Sequence, residues 1–408
     1  MTVTHGAPTV AGIRRAIAPV LESLSATARE RETSRDFAVD DVRALARAGI
    51  ALTGIPLEDG GAGGSVRDVA DLVIDISRAD SNVAQALRPT FLQAHRVTAV
   101  AAPPSPGDRR ESDLRRVLDG NLFSGTVNER NGGPGGSIRT TATRVDGGWV
   151  INGTKYYSTG GLYADWFSTA AVADNGDVVW FTVPTDRDGL ERPDDFDAVG
   201  QRLTQSGSTV FHDVFIGDDE VTAVGPRTGG NSRNTSDNPW TGAFAQLYLA
   251  AVQAGIAARA LDDAVWFVNE RARPIKHSSA DRSVDDPYVR ETVGEIAGHA
   301  QTARAVVLFA ADAVEASRGR TGDEARRQGA RAAVTVAQAG SAAIAAALEA
   351  AELLFDVGGA SITDRSLGFD RHWRNARTAA NHNPRQWKNA VAGAWHLTGE
   401  EPPTSGLF

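Results

Sequence analysis

Cysteine is absent from the chain, which excludes disulfides, thiolate nucleophiles and Cys-ligated metal sites. Cations are in deficit: 42 Lys and Arg stand against 51 Asp and Glu, a formal net charge of −9. That balance argues against a nucleic-acid partner, because phosphate binding needs a surplus of positive charge. The 8 histidines show no His-x-x-x-His or Glu-x-x-His spacing, so no metal site is expected. Met1–Val10 has neither the basic start nor the apolar core of a secretory signal. The uncharged run from Ala332 to Leu348 is alanine-rich and broken by Thr335, Gln338, Gly340 and Ser341, so it reads as a buried bundle helix rather than a membrane span. A soluble, cytoplasmic protein is the expectation.

What remains is the composition of a globular chain. Its 408 residues, 41% hydrophobic and 23% charged, can bury a large core in about two or three packed units. Ile13 to about Val100 reads as helical, with Ile13, Ile17, Val20, Leu21 and Leu24, then Val42, Leu45 and Ile50, at helical spacing. Residues 1–118 are therefore assigned to an N-terminal helical domain. The run Asp59-Gly60-Gly61-Ala62-Gly63-Gly64 lacks the Lys-Ser/Thr ending of a phosphate-binding loop and reads as a turn. From Asn121 the period shortens to that of strands. Ile138–Val145 and Trp149–Tyr157 flank an Asp146-Gly147-Gly148 turn, and Trp166–Ala173 and Val178–Val183 flank Asp174-Asn175-Gly176-Asp177. About six short antiparallel strands predict a small sandwich or barrel over 119–222. A loop dense in Gly, Asn, Ser and Arg follows over 223–239, and 240–408 reads as long helical segments of a four-helix bundle. The fold class is α+β multidomain: helices, an antiparallel β-domain, then a bundle.

Near the C-terminus the chain reads Phe369-Asp370-Arg371-His372-Trp373-Arg374-Asn375-Ala376-Arg377-Thr378, followed by Ala379-Ala380-Asn381-His382-Asn383-Pro384. The first part resembles the helix that acyl-CoA dehydrogenases place beside their flavin, where Arg-x-Tyr-Arg-Asp-Ala-(Arg/Lys) is common. The order of segments resembles that superfamily's fold over almost the whole chain. Leu122–Glu129 is similar to the family's first β-strand and loop, which implies that Thr126 and Asn128 lie against the isoalloxazine. Asn152-Gly153-Thr154-Lys155-Tyr156-Tyr157-Ser158-Thr159-Gly160-Gly161 resembles the family's Asn-Gly-x-Lys-x-Trp-Ile-Thr-Asn-Gly. The resemblance makes Tyr157 the aromatic that flanks the flavin and Thr159 the hydroxyl at its ring edge. An aromatic face complements a planar ring, and a hydroxyl can satisfy a ring-edge atom in a dry pocket. Phe267-Val268-Asn269-Glu270-Arg271-Ala272-Arg273-Pro274 resembles a helix end that reaches the cofactor phosphate, implying Arg273 and then Arg271 as phosphate ligands, since a guanidinium forks onto phosphate oxygens. Phe355–Ser361 resembles the Gly-Gly-x-Gly turn that approaches the cofactor through Gly358 and Gly359. A plain helix C-cap would explain the same two glycines.

In the dehydrogenases a catalytic glutamate often follows nine residues after the second arginine; counted from Arg374, that position is Asn383. An amide cannot remove an α-proton from a thioester. The chain therefore resembles the superfamily's monooxygenase branch, in particular its sulfur-oxidising flavoproteins. That resemblance implies reduced flavin from a separate reductase (FMN favoured by the Arg273-Pro274 variant, FAD possible), O2, a C4a-(hydro)peroxyflavin, and a homotetramer. The substrate would be a small organic molecule oxygenated at nitrogen, sulfur or an aromatic carbon. The family's His-Thr-Leu-His-Asp-Pro continuation keeps its second histidine here as His382, while Ala379 replaces the first. His382 is implied as the donor that steadies the oxygen adduct, assisted by Asn383; a histidine capping the helix before Pro384 is the structural alternative. Arg88-Pro89-Thr90-Phe91 departs from the His or Tyr-His pair usual on the early helix, so a reshaped pocket lined by Arg88, Phe91, Tyr163 and Trp240 is expected. Two other readings stand beside this one: an acyl-CoA dehydrogenase whose base has moved to Glu291, Glu295 or Asp262, and a flavin-free binding or assembly protein.

Overall fold

The computed structural model describes residues 7–98, 109–130, 137–226, 240, 242–274 and 276–404. Five helices come first: α1 (Val10–Ser34), α2 (Val39–Arg47), α3 (Val66–Ala79), α4 (Ser81–Thr98) and α5 (Arg109–Leu118). Thr9 starts α1 by accepting the Gly12 amide at 3.0 Å, and Ser65 and Asp68 form a reciprocal capping box at the start of α3. Ile13, Ile17 and Leu24, spaced along one face of α1, are buried as their period predicts. The glycine-rich run at 59–64 is a turn.

Eight strands follow: β1 (Phe123–Gly125), β2 (Thr141–Val145), β3 (Gly148–Lys155), β4 (Trp166–Ala173), β5 (Val178–Pro184), β6 (Leu190–Glu191), β7 (Thr209–Gly217) and β8 (Val221–Gly225). They form one sheet in the order β6-β7-β3-β2-β4-β5-β8, with β1 also on β4. The two anticipated hairpins, β2–β3 and β4–β5, are present and antiparallel. The sheet departs from a purely antiparallel one at β4, whose second edge is shared end to end by β1 and β2, both parallel to it. Ile151, Phe167, Phe181, Val183, Phe211 and Val214 form the buried face. The last strand runs to Gly225, past the expected boundary at 222, because Val178–Phe181 pairs with Val221–Gly225. Most of the expected loop, 227–239, lies outside the described residues.

The C-terminal part holds three long helices, α6 (Ala243–Glu270), α7 (Pro287–Ser317) and α8 (Gly322–Leu353). Two shorter ones, α9 (Asp370–Ala380) and α10 (Arg385–Thr398), stand where a fourth long segment was expected. Alanines such as Ala300, Ala303, Ala310, Ala343 and Ala347 face inward, which lets α7 and α8 approach closely. Two stretches are long and apolar enough to cross a membrane, Ala243–Glu270 and Gly322–Val357, but 72% and 56% of their apolar windows are buried within the fold. Their apolar surface is core surface.

A buried ionic cluster locks α9 to α6. Asp263 of α6 accepts hydrogen bonds from Arg371 and His372 of α9 at 2.7 Å each, and from Arg259 at 3.0 Å. All but Arg259 are buried. The Arg-His pair at the head of the C-terminal motif is thus committed to anchoring the helix that carries the next residues toward the site.

Candidate active site

Helix α4 forms a wall shared by the sheet and the bundle. Asp80 fixes its start by accepting the Asn82 amide at 2.8 Å while pairing with buried Arg31 at 2.6 Å. On its sheet side, Thr90 Oγ1 accepts the Phe123 amide at 2.9 Å. Gly160 packs there so closely that a Cβ would sit 2.4 Å from the Ala86 carbonyl, and its φ of +77° is a conformation that favours glycine. On its bundle side, Tyr248 donates to the Ala84 carbonyl at 2.6 Å, and Arg88 reaches His382 Nε2 at 3.3 Å.

The sheet-side group is built around Tyr157, which holds a φ of +67° and is 55% exposed. A tyrosine in the left-handed region carries strain of about 1–3 kcal/mol, the kind of strain concentrated at functional sites. Gln201 and Gln205 share the left-handed conformation, and their loop is bonded to the same turn through Ser158 N to Gly207 O at 3.1 Å and Gly160 N to Thr204 O at 2.8 Å. Tyr156 lies buried edge-on to Tyr157, with the Arg130 guanidinium 4.5 Å from its ring centre. Thr159 Oγ1 is 2.9 Å from Ser206 Oγ, and Ser124 donates to the Thr159 carbonyl at 2.8 Å. Thr126 caps the Asn128 amide at 3.1 Å, the Asn128 carbonyl accepts from Tyr156 N at 2.9 Å, and the Asn128 side chain is exposed. A buried Lys155–Glu129 pair at 2.7 Å pins this loop to the end of β3.

The bundle-side group sits where α9 ends. Buried Asn383 donates from Nδ2 to Gln246 Oε1 at 2.7 Å, and buried Lys388 donates to the same oxygen at 2.9 Å. Two amides therefore meet where a base was sought, and neither can take a proton. His382 is exposed at one edge, yet enough protein surrounds it that burial, and then the charge of Arg88, lower its pKa to about 3. It is therefore neutral at pH 7. Because a guanidinium only donates, Nε2 is the acceptor toward Arg88 and Nδ1 carries the proton. In that state His382 can donate a hydrogen bond through Nδ1 but holds no spare proton. Burial likewise lowers Lys388 to about 8.

A chain of contacts runs from the sheet-side group to α9. Thr159 touches Ser206, Ser206 touches Thr204, Thr204 bonds the Gln201 carbonyl, and the Gln201 amide donates to Asn375 Oδ1 on α9 at 2.6 Å. Gln246, Lys388 and Ser206 carried no motif. The only hint was Gln246 and Gln253 as polar residues in the mostly apolar first half of α6.

Four expected cofactor residues lie elsewhere. Arg271 and Arg273 are exposed beyond the far end of α6, and the 28 residues of that helix span about 40 Å from the Gln246 end. Gly358 belongs to the same far end: a Cβ there would meet Phe267 Cε1 at 2.5 Å, so close packing accounts for the glycine. Its extended φ of −151° rules out a left-handed helix cap, and Gly359 is exposed with open space beside it. One chain thus does not bring these residues to His382. Among the expected substrate contacts only Arg88 reaches His382. Phe91 packs on Tyr248 in the core, Tyr163 donates to the Leu203 carbonyl and packs on Phe37, and buried Trp240 donates to the Pro402 carbonyl. Their rings and polar atoms are committed to the core. The carboxylates considered as relocated bases stand apart too: Glu291 and Glu295 are exposed on α7, and Asp262 pairs with Arg78 through two 2.6 Å bonds. An open cleft of about 810 Å³ runs between α1, α3 and α6 past Trp266 and Phe369. Its buried charges, Arg371 and Asp263, neutralise each other. Convergent polar groups, not volume, identify the site at α4.

The comparisons agree with this architecture. The description "acyl-CoA dehydrogenase, middle domain" matches residues 128–214, and "acyl-CoA dehydrogenase, C-terminal domain" matches 247–387. The chain is 30% identical to a dibenzothiophene monooxygenase of Mycolicibacterium goodii, covering 92% of this chain and 91% of that protein. It is 28% identical to a probable FMNH2-dependent monooxygenase, SfnC, of Pseudomonas putida, covering 93% of each. Among solved structures, FMN-bound TdsC from Paenibacillus sp. A11-2 superposes with a TM-score of 0.86 at 27% identity, over 97% of this chain and 100% of that one.

Proposed function

The chain belongs to the acyl-CoA dehydrogenase family, on its flavin-dependent monooxygenase branch, and from that premise we propose that it oxygenates a small organic substrate with externally reduced flavin and O2. FMN is the favoured flavin, since SfnC is named as FMNH2-dependent and TdsC binds FMN. The names of the relatives favour a sulfur atom as the acceptor of oxygen. The observation that carries the reading is the Asn383–Gln246 contact, an amide pair where a dehydrogenase needs a carboxylate.

The residues present fit a flavin. Tyr157 offers an exposed aromatic face, held in place by a strained backbone, and Thr159 has a hydroxyl that can share Ser206 and still donate to a ring edge. Reduced flavin, when bound, supplies the electrons that activate O2. Around it, His382 Nδ1–H and the Asn383 amide are neutral donors toward developing negative charge. Arg88 holds the other nitrogen of His382 and so fixes its tautomer. The core-packed α4 and its close contact with Gly160 hold the turn that carries Thr159 in place. Arg271 and Arg273 can grip a flavin phosphate only from another copy of the chain, which supports a homotetramer. A separate reductase in the cytoplasm completes the system. Asp262 is committed to Arg78, and Glu291 and Glu295 are exposed on α7, which speaks against a relocated base.

Stopped-flow mixing tests the proposal. The complex with reduced FMN, mixed with oxygen, should show a transient near-ultraviolet absorbance before the flavin reoxidises. Bleaching of the oxidised complex by an acyl-CoA without oxygen would restore the dehydrogenase.

A further inference from the structure

Several enclosed arginines of the fold are balanced by a carboxylate. Arg31 pairs with Asp80, Arg371 with Asp263, and Arg374 with Glu32. Arg88 pairs with no carboxylate among the described residues. Its contacts are the Ala245 carbonyl, at 3.4 Å from both Nε and Nη2, and the neutral His382 at 3.3 Å from Nη1. All three exceed the usual 2.7–3.2 Å range, so the fork is only loosely engaged. Burial lowers its pKa to about 10, opposed only by Tyr248. The other charged group felt here is Lys388, a second cation, whose own pKa is lowered by Arg88. Tyr248 uses its hydroxyl on Ala84 and remains neutral. A guanidinium drawn partly out of water, beside another cation and without a counter-charge, is unfavourable until an anion arrives.

We propose that Arg88 anchors an acidic group on the substrate, a carboxylate, sulfinate or sulfonate, and that the enzyme selects organic anions over their neutral counterparts. The inference rests on the monooxygenase reading for the identity of the site. A planar fork suits a two-oxygen anion, and replacing two long contacts to neutral acceptors by two short charge-assisted ones strengthens each. Because Arg88 and His382 touch, an acid held by Arg88 lies next to His382.

The test uses the full-length protein loaded with oxidised FMN, titrated with benzoate and benzenesulfinate, and with benzamide and methyl phenyl sulfone as neutral partners. Binding is read from the change in flavin absorbance. The acids should bind at least about tenfold more tightly than the neutral compounds. Arg88→Met should raise Kd for the acids by about 10- to 100-fold, leaving that for the neutral pair unchanged, and Arg88→Lys should fall between. Equal binding of acid and neutral compounds, no binding of the acids, or an unchanged Kd in Arg88→Met overturns the proposal. So does loss of FMN affinity in folded Arg88→Met together with Arg88→Lys, which would assign the cation to the flavin. Oxygen consumption by the wild type with reduced FMN and no acid present reports the monooxygenase reading separately.

Discussion

Acid should weaken this fold across the interval in which His372 gains a proton only by unfolding. His372 is 4% exposed, with Nε2 2.7 Å from Asp263 Oδ2. Burial, and next the neighbouring Arg371, lower its pKa to about 4 despite the attraction of Asp263. In the unfolded chain the same group titrates near 6.5. Between those values the unfolded state binds the extra proton, so stability is fully present above about pH 6.5 and is lost as pH falls toward 4. At about 1.4 kcal/mol per pH unit the interval amounts to about 3 kcal/mol. Asp263 is held below the usual carboxylate range by His372 and the flanking arginines, which outweigh its burial, so its own contribution disappears only below that window. Urea unfolding at steps from pH 7 to 4.5 measures the slope. His95 and His382 have lowered pKa values as well, so the wild-type slope contains them, and the comparison with His372→Gln isolates the one group. That variant keeps a donor for Asp263 but does not titrate, and its slope should be shallower by about 1.4 kcal/mol per unit. Parallel slopes for the two proteins would refute the reasoning.

Other consequences follow from single contacts. Asp263→Ala leaves Arg371 buried without a counter-charge and should cost about 3–5 kcal/mol in denaturant unfolding; a loss below about 1 kcal/mol would contradict the cluster's role. Gly160→Ala forces a Cβ against the Ala86 carbonyl at a positive φ, and should weaken FMN binding about tenfold or more in a fluorescence-quenching titration. Arg271→Ala combined with Arg273→Ala should abolish the preference for FMN over riboflavin, a loss of about 10- to 100-fold, and leave riboflavin binding unchanged. An intact FMN preference would remove both arginines from the phosphate site.

The sequence made some of this legible and hid the rest for physical reasons. The hairpins declared themselves because Asp146-Gly147-Gly148 and Asp174–Asp177 interrupt an alternating pattern, a local signal. The parallel edge of β4 could not be read, since pairing between Phe123 and Trp166 leaves no local trace. Motif resemblance pointed to Tyr157, Thr159, His382 and Asn383, and the loop at 201–207 links the turn of Thr159 to α9. It also gathered Arg271, Arg273, Gly358 and Gly359 into one imagined pocket, because a motif says what a residue faces but not which copy of the chain supplies it. Tyr163 and Trp240 show the converse: an aromatic with a polar tip is as well suited to closing a core against a carbonyl as to lining a pocket, and only the partners Leu203 and Pro402 decide. Gln246 and Lys388 escaped notice because their importance comes from sharing one oxygen with Asn383 across the fold.

The central claim is that an amide stands where a base would be needed, so the flavin works on oxygen. It is tested most directly with isotopically labelled dioxygen. The protein, supplied with FMN, a flavin reductase and an organic sulfide, should yield a sulfoxide carrying one labelled atom from O2 by mass spectrometry. Label drawn from water, or no oxygenated product alongside oxidation of an acyl-CoA, would contradict the account.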